Sequence, residues 1–549
     1  VNEHRGGNRG SGHSNAGRGN AGRGGNDHRR NDRGHERSGS RGHGGPRQGW
    51  SQDRPSERSR AATPTRIVAF EALQAVHEED AYANLVLPRL LRKHRLHGRD
   101  AGFTTELVYG TLRAQGRLDA VIARCVDRDL EEVEVAVLDV LRLGAHQLLD
   151  MEVAPHAATS ETVALTRARV GAGAAGLVNA VMRRIGEHSA EEWLEIVAPA
   201  DPDASADAQL ERLAILHSHP LWMVRALRDA LAGHGRDRSE IEALLESQNR
   251  APSVSLVMRP GLTDSEELAA AGAGPAHLSL FGASWPGGDP GGVDAVREGR
   301  AAVQDEGSQL MGLALGLGVE DLLRTDGGED HHWLDLCAGP GGKTALLAGL
   351  SVSADADLLA TELQPHRTEL VEKAVAMLVE AGAEVECRTA DGTAIGTELP
   401  DRFSRVLADV PCTGMGALRR RPEARWRRTP ADVGQLARLQ RELLTSAIAA
   451  TAPGGVLAYV TCSPHLAETL LVVGDVMRRH PELEQLDARP AVRAGLLPAA
   501  QDTDLGAGPT VQLWPHVHGT DAMFLALLRK RPSGDAATDP SETSERTPA

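Results

Sequence analysis

The chain is poor in what would make it a stapled, zinc-built or membrane protein. Cysteine occurs five times in 549 residues and never as a C-x-x-C pair, which argues against a disulfide framework and against a zinc scaffold. No basic stretch followed by an apolar one opens the sequence, so a secretory leader is not expected. No apolar run reaches the length of a membrane span: the stretches Ala447–Ala452 and Leu457–Val460 are separated by Pro453, Gly454 and Gly455. A soluble, cytoplasmic chain without a membrane partner is the expectation. Lysine is absent from the first 60 residues, where 13 arginines stand against six acids among 15 glycines, a surplus of +7. The net charge of −16 therefore leaves −23 on the rest. Residues 1–62 have almost no Leu, Ile, Val or Phe and cannot offset the entropy of ordering, so a disordered Arg/Gly-rich tail is expected. Such a tail suits either RNA held electrostatically or simple solubilisation.

From Pro64 the composition becomes that of amphipathic helices. In VLDVLRLGAHQLL, Leu138, Leu141, Ala145, Leu148 and Leu149 recur at helical spacing, and comparable patterns run from Thr65 to Ile185, predicting an all-α domain over 63–195. Three strings within it, LVYGTLRAQGRLD (Leu107–Asp119), APHAATSETVAL (from Ala154) and LVNAVMRRI (Leu177–Ile185), together resemble the NusB-like RNA-binding domain. A Pro/Asp/Ala-rich stretch at Ala198–Asp207 reads as a linker, and 205–300 as a small mixed region. From 301 to 531 short apolar strands alternate with helices: WLDLC, LLATE, EVECR, RVLAD, GVLAYV and MFLALL. That alternation predicts an α/β domain with a doubly wound, Rossmann-like sheet. Residues 532–549 read as a second disordered tail.

WLDLCAGPGGKTALLAGL sets strand, glycine turn and helix in succession, where backbone N–H groups can approach a ligand closely. A Walker loop would need glycine at Cys337, and a dinucleotide fingerprint would need it at Thr344. The reading that remains is an S-adenosyl-L-methionine loop. Glu362, about twenty residues on at the end of the second strand, is placed to accept from the ribose hydroxyls. Asp391 in TADGT is placed to meet the adenine edge, and Asp409 closes the fourth strand at the ligand-binding edge of the sheet.

The fourth strand runs into ADVPCTGMG and the fifth into YVTCSP, so Cys412 and Cys462 arrive at the same edge as the glycine turn. Carbon 5 of cytosine is a poor nucleophile; a thiolate that adds to carbon 6 turns the ring into an enamine able to take a methyl group. A second thiol can then assist loss of the carbon-5 proton and release of the first. Amino-group methyltransferases need neither, and their [DN]PP[YF] turn is here DVPC. By chemistry alone either cysteine could be the nucleophile.

CAGPGGKT, DVPCTGMG with LRRRPEARW, and TCSP together resemble the Nol1/Nop2/Sun family of RNA 5-methylcytosine methyltransferases, and the NusB-like strings ahead of them resemble its members that act on small-subunit ribosomal RNA. The resemblance spans roughly 63–530. It implies a methyltransferase sheet whose last strand is antiparallel, with Cys462 as nucleophile and Cys412 assisting product release. It also implies that Cys337, Ala338, Gly339, Pro340, Gly341, Gly342, Lys343, Glu362, Asp391 and Asp409 surround S-adenosylmethionine, with Asp409 also touching the target base. Three features depart from the family pattern: Glu362 where Asp is common, the TGMG turn after Cys412, and the hydrophilic stretch TDGGEDHH (Thr325–His332). His331 and His332 there read as solvated loop, and no metal is expected.

LRRRPEARWRR (Leu418–Arg428) carries six arginines against Glu423 and reads as a positive patch beside the active site, suited to phosphates and, through Trp426, to an unpaired base. The expected partner is small-subunit ribosomal RNA and the expected state a monomer. The alternatives are the same chemistry on transfer RNA and a non-catalytic RNA-binding or antitermination factor.

Overall fold

Helices come first along the described chain and the two sheets follow them. The computed structural model describes residues 62–201, 203–324 and 330–532; the tails expected at 1–62 and 532–549, apart from their inner ends, and residues 325–329 lie outside them. Seven helices between Pro64 and Val197 form the first layer. Their central member, Val135–Leu149, is buried nearly all round: Leu138, Leu141 and Ala145 join the core, and Asp139, Arg142 and His146 are buried with them. The charges between its apolar positions are therefore internal. Arg142 donates to both carboxylate oxygens of Asp119 at 2.7 and 2.8 Å, and Asp139 accepts from Gln74 and pairs with His77, each at 2.7 Å. Such pairs are tolerated inside because each member is partnered.

The Ala198–Asp207 linker is shorter than expected, because Ser205 caps a helix that starts at Ala206. Helices Ala206–Leu216, Leu221–Gly233 and Ile241–Asn249 share a core with Met415, Leu418 and Trp514, which belong to loops of the α/β part. Next comes a four-stranded antiparallel sheet in the order β2-β3-β1-β4, made of β1 (Val254–Met258), β2 (Gly274–Pro275), β3 (Gly282–Trp285) and β4 (Ala301–Val303).

The large sheet comprises β5 (His332–Asp335), β6 (Asp357–Glu362), β7 (Val385–Thr389), β8 (Phe403–Asp409), β9 (Thr451–Thr461), β10 (Leu483–Leu486), β11 (Val511–Gln512) and β12 (Phe524–Lys530). Its order is β10-β12-β9-β8-β5-β6-β7, with β11 on β12. β5 to β9 pair in parallel and β12 runs antiparallel to β9, so the predicted doubly wound sheet with an antiparallel last strand is the fold. His332 belongs to β5 rather than to a loop, its ring against Asp357.

Both faces of the sheet are covered, which is why its strands read as continuous apolar runs. Val456, Ala458 and Val460 of β9 face one core and Leu457 and Tyr459 the other; Leu525 and Leu527 of β12 alternate with Phe524, Ala526 and Leu528 in the same way. The chain winds outward in both directions from the β5/β8 pair, so the carboxyl ends of β5, β6, β8 and β9 open onto one crevice. Among the described residues no helix is long and apolar enough to cross a membrane, and no group of three or more His, Cys, Asp or Glu side chains is placed to hold a metal.

Candidate active site

The crevice is a cavity of about 740 Å³ into which β5, β6, β8 and β9 deliver their terminal residues. After β5 the chain turns through Cys337–Gly341 into the helix Gly342–Ala354. Gly341 takes φ +102°, and a Cβ there would stand 2.6 Å from that of Ala374, so only glycine lets the turn close onto the next helix. Gly339 is pressed against the end of β6: an added Cβ would lie 2.2 Å from Glu362 Oε2 and 2.8 Å from an Arg367 nitrogen. Arg367 ties the two together, donating to the Gly339 carbonyl at 2.7 Å and standing 3.4 Å from Glu362 Oε2. Glu362 also accepts from the Gln364 backbone at 3.1 Å and is nearly buried.

Cys337, Gly339, Pro340, Glu362, Asp391 and Asp409 line the cavity together with Cys412 and Cys462. Ala338, Gly341, Gly342 and Lys343 do not reach its surface: Ala338 packs behind it on Ala360 and Val371, and Gly342 begins the helix. Lys343 lies against Asp409, donating at 2.7 Å, and this carboxylate holds the buried ammonium charged. Asp391 caps the Gly392–Glu398 helix, accepting from the Thr393 backbone and hydroxyl at 2.9 and 2.8 Å. Behind the turn is Asp335, which the motif reading passed over. It is fully buried, accepts from Thr344 at 2.7 Å, and burial pushes its pKa up to about 7.

The two thiols are 3.3 Å apart. β8 and β9 are paired neighbours, Asp409 opposite Val460, so the loops that leave them begin side by side. Gly416 stitches them together: its N–H donates to the Cys462 carbonyl at 2.9 Å, and an added Cβ would meet the Ala522 carbonyl oxygen at 2.1 Å. This explains the glycine at the end of the unusual TGMG turn. Glu468 is the second tie, and its signal in the sequence was no more than an acid six residues beyond Cys462. Fully buried, it accepts from the Thr413 backbone (2.8 Å) and hydroxyl (2.5 Å) on one loop and from Ser463 Oγ (2.6 Å) on the other.

The environments of the thiols differ. A hydrogen bond from Cys412, with Lys343 and Arg421 nearby, holds Cys462 below the usual thiol range against the effect of burial. The same bond, burial and Glu468 push Cys412 well above it. Burial raises Cys125 and Cys387 to about 11, and burial with three surrounding carboxylates raises Cys337 further. Among the five cysteines, Cys462 is the one whose surroundings favour the thiolate.

The arginine cluster differs from the expected phosphate-facing patch. Arg419 and Arg425 are buried. Arg419 and Arg420 pair with Asp305 and Asp521, Arg425 donates to the carbonyls of Arg113, Ser218 and Gln248, and Arg427 to those of Val76, Asp80 and Ala81. Trp426 packs over Gly116 of the helical bundle, where an added Cβ would meet its ring at 2.5 Å. Four of the six arginines thus tie together the bundle, the helices that follow it and the α/β part, because partners more than 100 residues away in sequence surround them. Arg421 and Arg428 line the cavity.

The model of the 16S rRNA methyltransferase RsmB/F family matches residues 323–529, and that of the NusB family matches residues 63–187. A Mycobacterium tuberculosis protein named "Putative methyltransferase" is 50% identical over 86% of this chain and 98% of its own length. The ribosomal RNA small subunit methyltransferase B of Pseudomonas putida is 31% identical over 78% and 92%. Among solved structures, the crystal structure of PH0851 has the same fold, with a TM-score of 0.67 at 22% identity over 86% of this chain and 99% of that one. The methyl donor of such an enzyme is S-adenosylmethionine, and the cradle fits it: a side-chain-free turn at Gly339, a fixed carboxylate at Glu362 and a cavity of matching polarity. With its fold, its donor cradle and a relative of 31% identity aligned over nearly its whole length, the chain belongs to the RsmB/F family of 16S rRNA methyltransferases.

Proposed function

We propose that the chain methylates carbon 5 of a cytosine in small-subunit ribosomal RNA through a covalent adduct between Cys462 and carbon 6. The observation that carries this is the thiol pair itself, 3.3 Å apart on adjacent strand ends inside the donor cavity, with Cys462 alone held toward thiolate. Bound S-adenosylmethionine supplies an electrophilic methyl group; Glu362, Asp391 and the Gly339 turn would hold it. Cys462 adds to carbon 6, and the displaced electron pair makes carbon 5 nucleophilic. Asp409, fixed by Lys343, accepts from the exocyclic amine of the base and orients the ring. Once carbon 5 carries the methyl, its proton passes to solvent, the electron pair it leaves reforms the ring double bond, and the carbon–sulfur pair returns to Cys462, whose departing sulfur Cys412 assists. The names of the ribosomal RNA enzymes among the relatives favour that substrate.

Bisulfite sequencing of ribosomal and transfer RNA from a strain lacking the protein tests this reading. A 16S rRNA cytosine is expected to lose its protection from conversion. A loss confined to transfer RNA would reassign the substrate, and unchanged protection everywhere would remove the carbon-5 chemistry.

The donor cradle is tested separately. Gly339→Ala places a methyl group inside contact distance of Glu362 and Arg367. The affinity for S-adenosylhomocysteine, read by titration calorimetry, is expected to fall at least tenfold, about 1.4 kcal/mol. An unchanged affinity would detach the turn from donor binding.

A further inference from the structure

One wall of the catalytic cavity comes from the helical bundle. Asp80 and Tyr82, in the turn between the helices Pro64–Glu78 and Ala83–Lys93, line the same space as Cys412 and Cys462. The turn is held there from the α/β part. Arg427 donates to the carbonyls of Val76, Asp80 and Ala81 at 2.5–2.9 Å, and the Ala83 backbone donates to buried Glu423 at 3.2 Å. Asp80 adopts φ +53°, a left-handed conformation that a non-glycine residue keeps only when its surroundings enforce it. Tyr82 remains 37% exposed despite this anchoring. The guanidinium carbons of Arg421 and Arg427 lie 5.2 and 5.3 Å from its ring centroid.

Arg427 is committed to the turn; Arg421 and Arg428 are not. Among the described residues neither side chain makes a hydrogen bond or a close ion pair, the nearest carboxylates being Glu423 for Arg421 and Asp432 for Arg428, and both line the cavity. Methyl transfer to the base uses neither Tyr82 nor Arg428, and Arg421 enters it only as a positive charge near Cys462. Two cations whose side chains are not tied into close ion pairs, and an aromatic ring carrying one of them, form a rim suited to a phosphate and an unstacked base. The acid at this rim, Asp80, stands 3.9 Å from Arg427 Nε, so its charge is offset. A cytosine that reaches Cys462 must be splayed from its helix, which unstacks its neighbour too.

We propose that Tyr82 of the helical bundle, with Arg421 and Arg428, forms the seat for the unpaired nucleotide next to the target base, so that the bundle is part of the catalytic cleft and not merely a remote tether. This rests on the RNA cytosine reading above. In steady-state methylation of 16S rRNA by the full chain, Tyr82→Ala is expected to raise KM about tenfold with kcat within threefold, Tyr82→Phe to restore KM, and Arg428→Ala to raise it similarly. S-adenosylhomocysteine affinity and the thermal midpoint of Tyr82→Ala should stay at wild-type values. A KM within twofold of wild type for Tyr82→Ala would overturn the seat while leaving the function intact, whereas a wild-type chain that methylates no RNA cytosine would overturn the function itself. Should Tyr82→Ala melt early, 4-thiouridine placed beside the target and photocrosslinked to the wild-type chain decides: attachment at 80–82 or 421–428 supports the seat, and attachment elsewhere overturns it.

Discussion

Cys462→Ala is expected to abolish methyl transfer to RNA while leaving donor binding intact. Without a thiolate to add at carbon 6, carbon 5 stays part of an aromatic ring and does not take up a methyl group. The loss should be at least about 10³-fold, ~4 kcal/mol in barrier. No other residue replaces it: Cys412, the nearest sulfur, is pushed toward the protonated thiol by burial and Glu468, and Cys337 is held there by burial and three carboxylates. Incorporation of tritium from labelled S-adenosylmethionine, with S-adenosylhomocysteine titration as a control on folding, measures both halves. Retention of more than a tenth of the wild-type rate would take the nucleophile away from Cys462. The same variant isolated with RNA covalently attached would assign the nucleophile to Cys412.

What the sequence made legible was the part built from local pattern. β5, β6, β8, β9 and β12 were readable because each carries an apolar run buried in the sheet, and the half-exposed edge strand β7 because it falls in the same alternation of strand and helix. The glycine turn was readable because a missing side chain is itself a chemical statement, and the cysteines because each closes a strand. What escaped depends on partners distant in the chain. β10 (LEQL) and β11 are short and partly polar and exist by pairing with β12. The arginines of 418–428 look alike on paper, yet Arg425 is capped by carbonyls that begin at Arg113, and Arg419 by carboxylates at Asp305 and Asp521. Glu468 and Tyr82 carry no motif: one matters because two loops meet on it, the other because a turn from the helical bundle reaches the cavity. The negative net charge is compatible with an RNA substrate because two arginines remain available at the cavity wall.

Cys412→Ala is expected to have the opposite outcome, trapping the protein on its RNA. After carbon 5 has gained its methyl it still carries a proton, and the base remains tethered through the bond between carbon 6 and Cys462. In the proposed reaction, release requires the proton to pass to solvent, its electron pair to reform the ring double bond, and the carbon–sulfur pair to return to sulfur. A thiol 3.3 Å from that sulfur, held protonated by its surroundings, donates a hydrogen bond to the departing thiolate and so lowers the cost of expelling it. Alanine leaves the first half of the reaction intact and removes this donor, while Glu468 and Gly416 keep the loops in place. A slowly migrating protein–RNA species that survives denaturing electrophoresis should accumulate, and nuclease digestion followed by mass spectrometry should leave a methylated nucleotide on Cys462. If Cys412→Ala instead turned over freely, the raised thiol would have no part in release; if it lost activity without an adduct, Cys412 would act before the bond to carbon 6 forms.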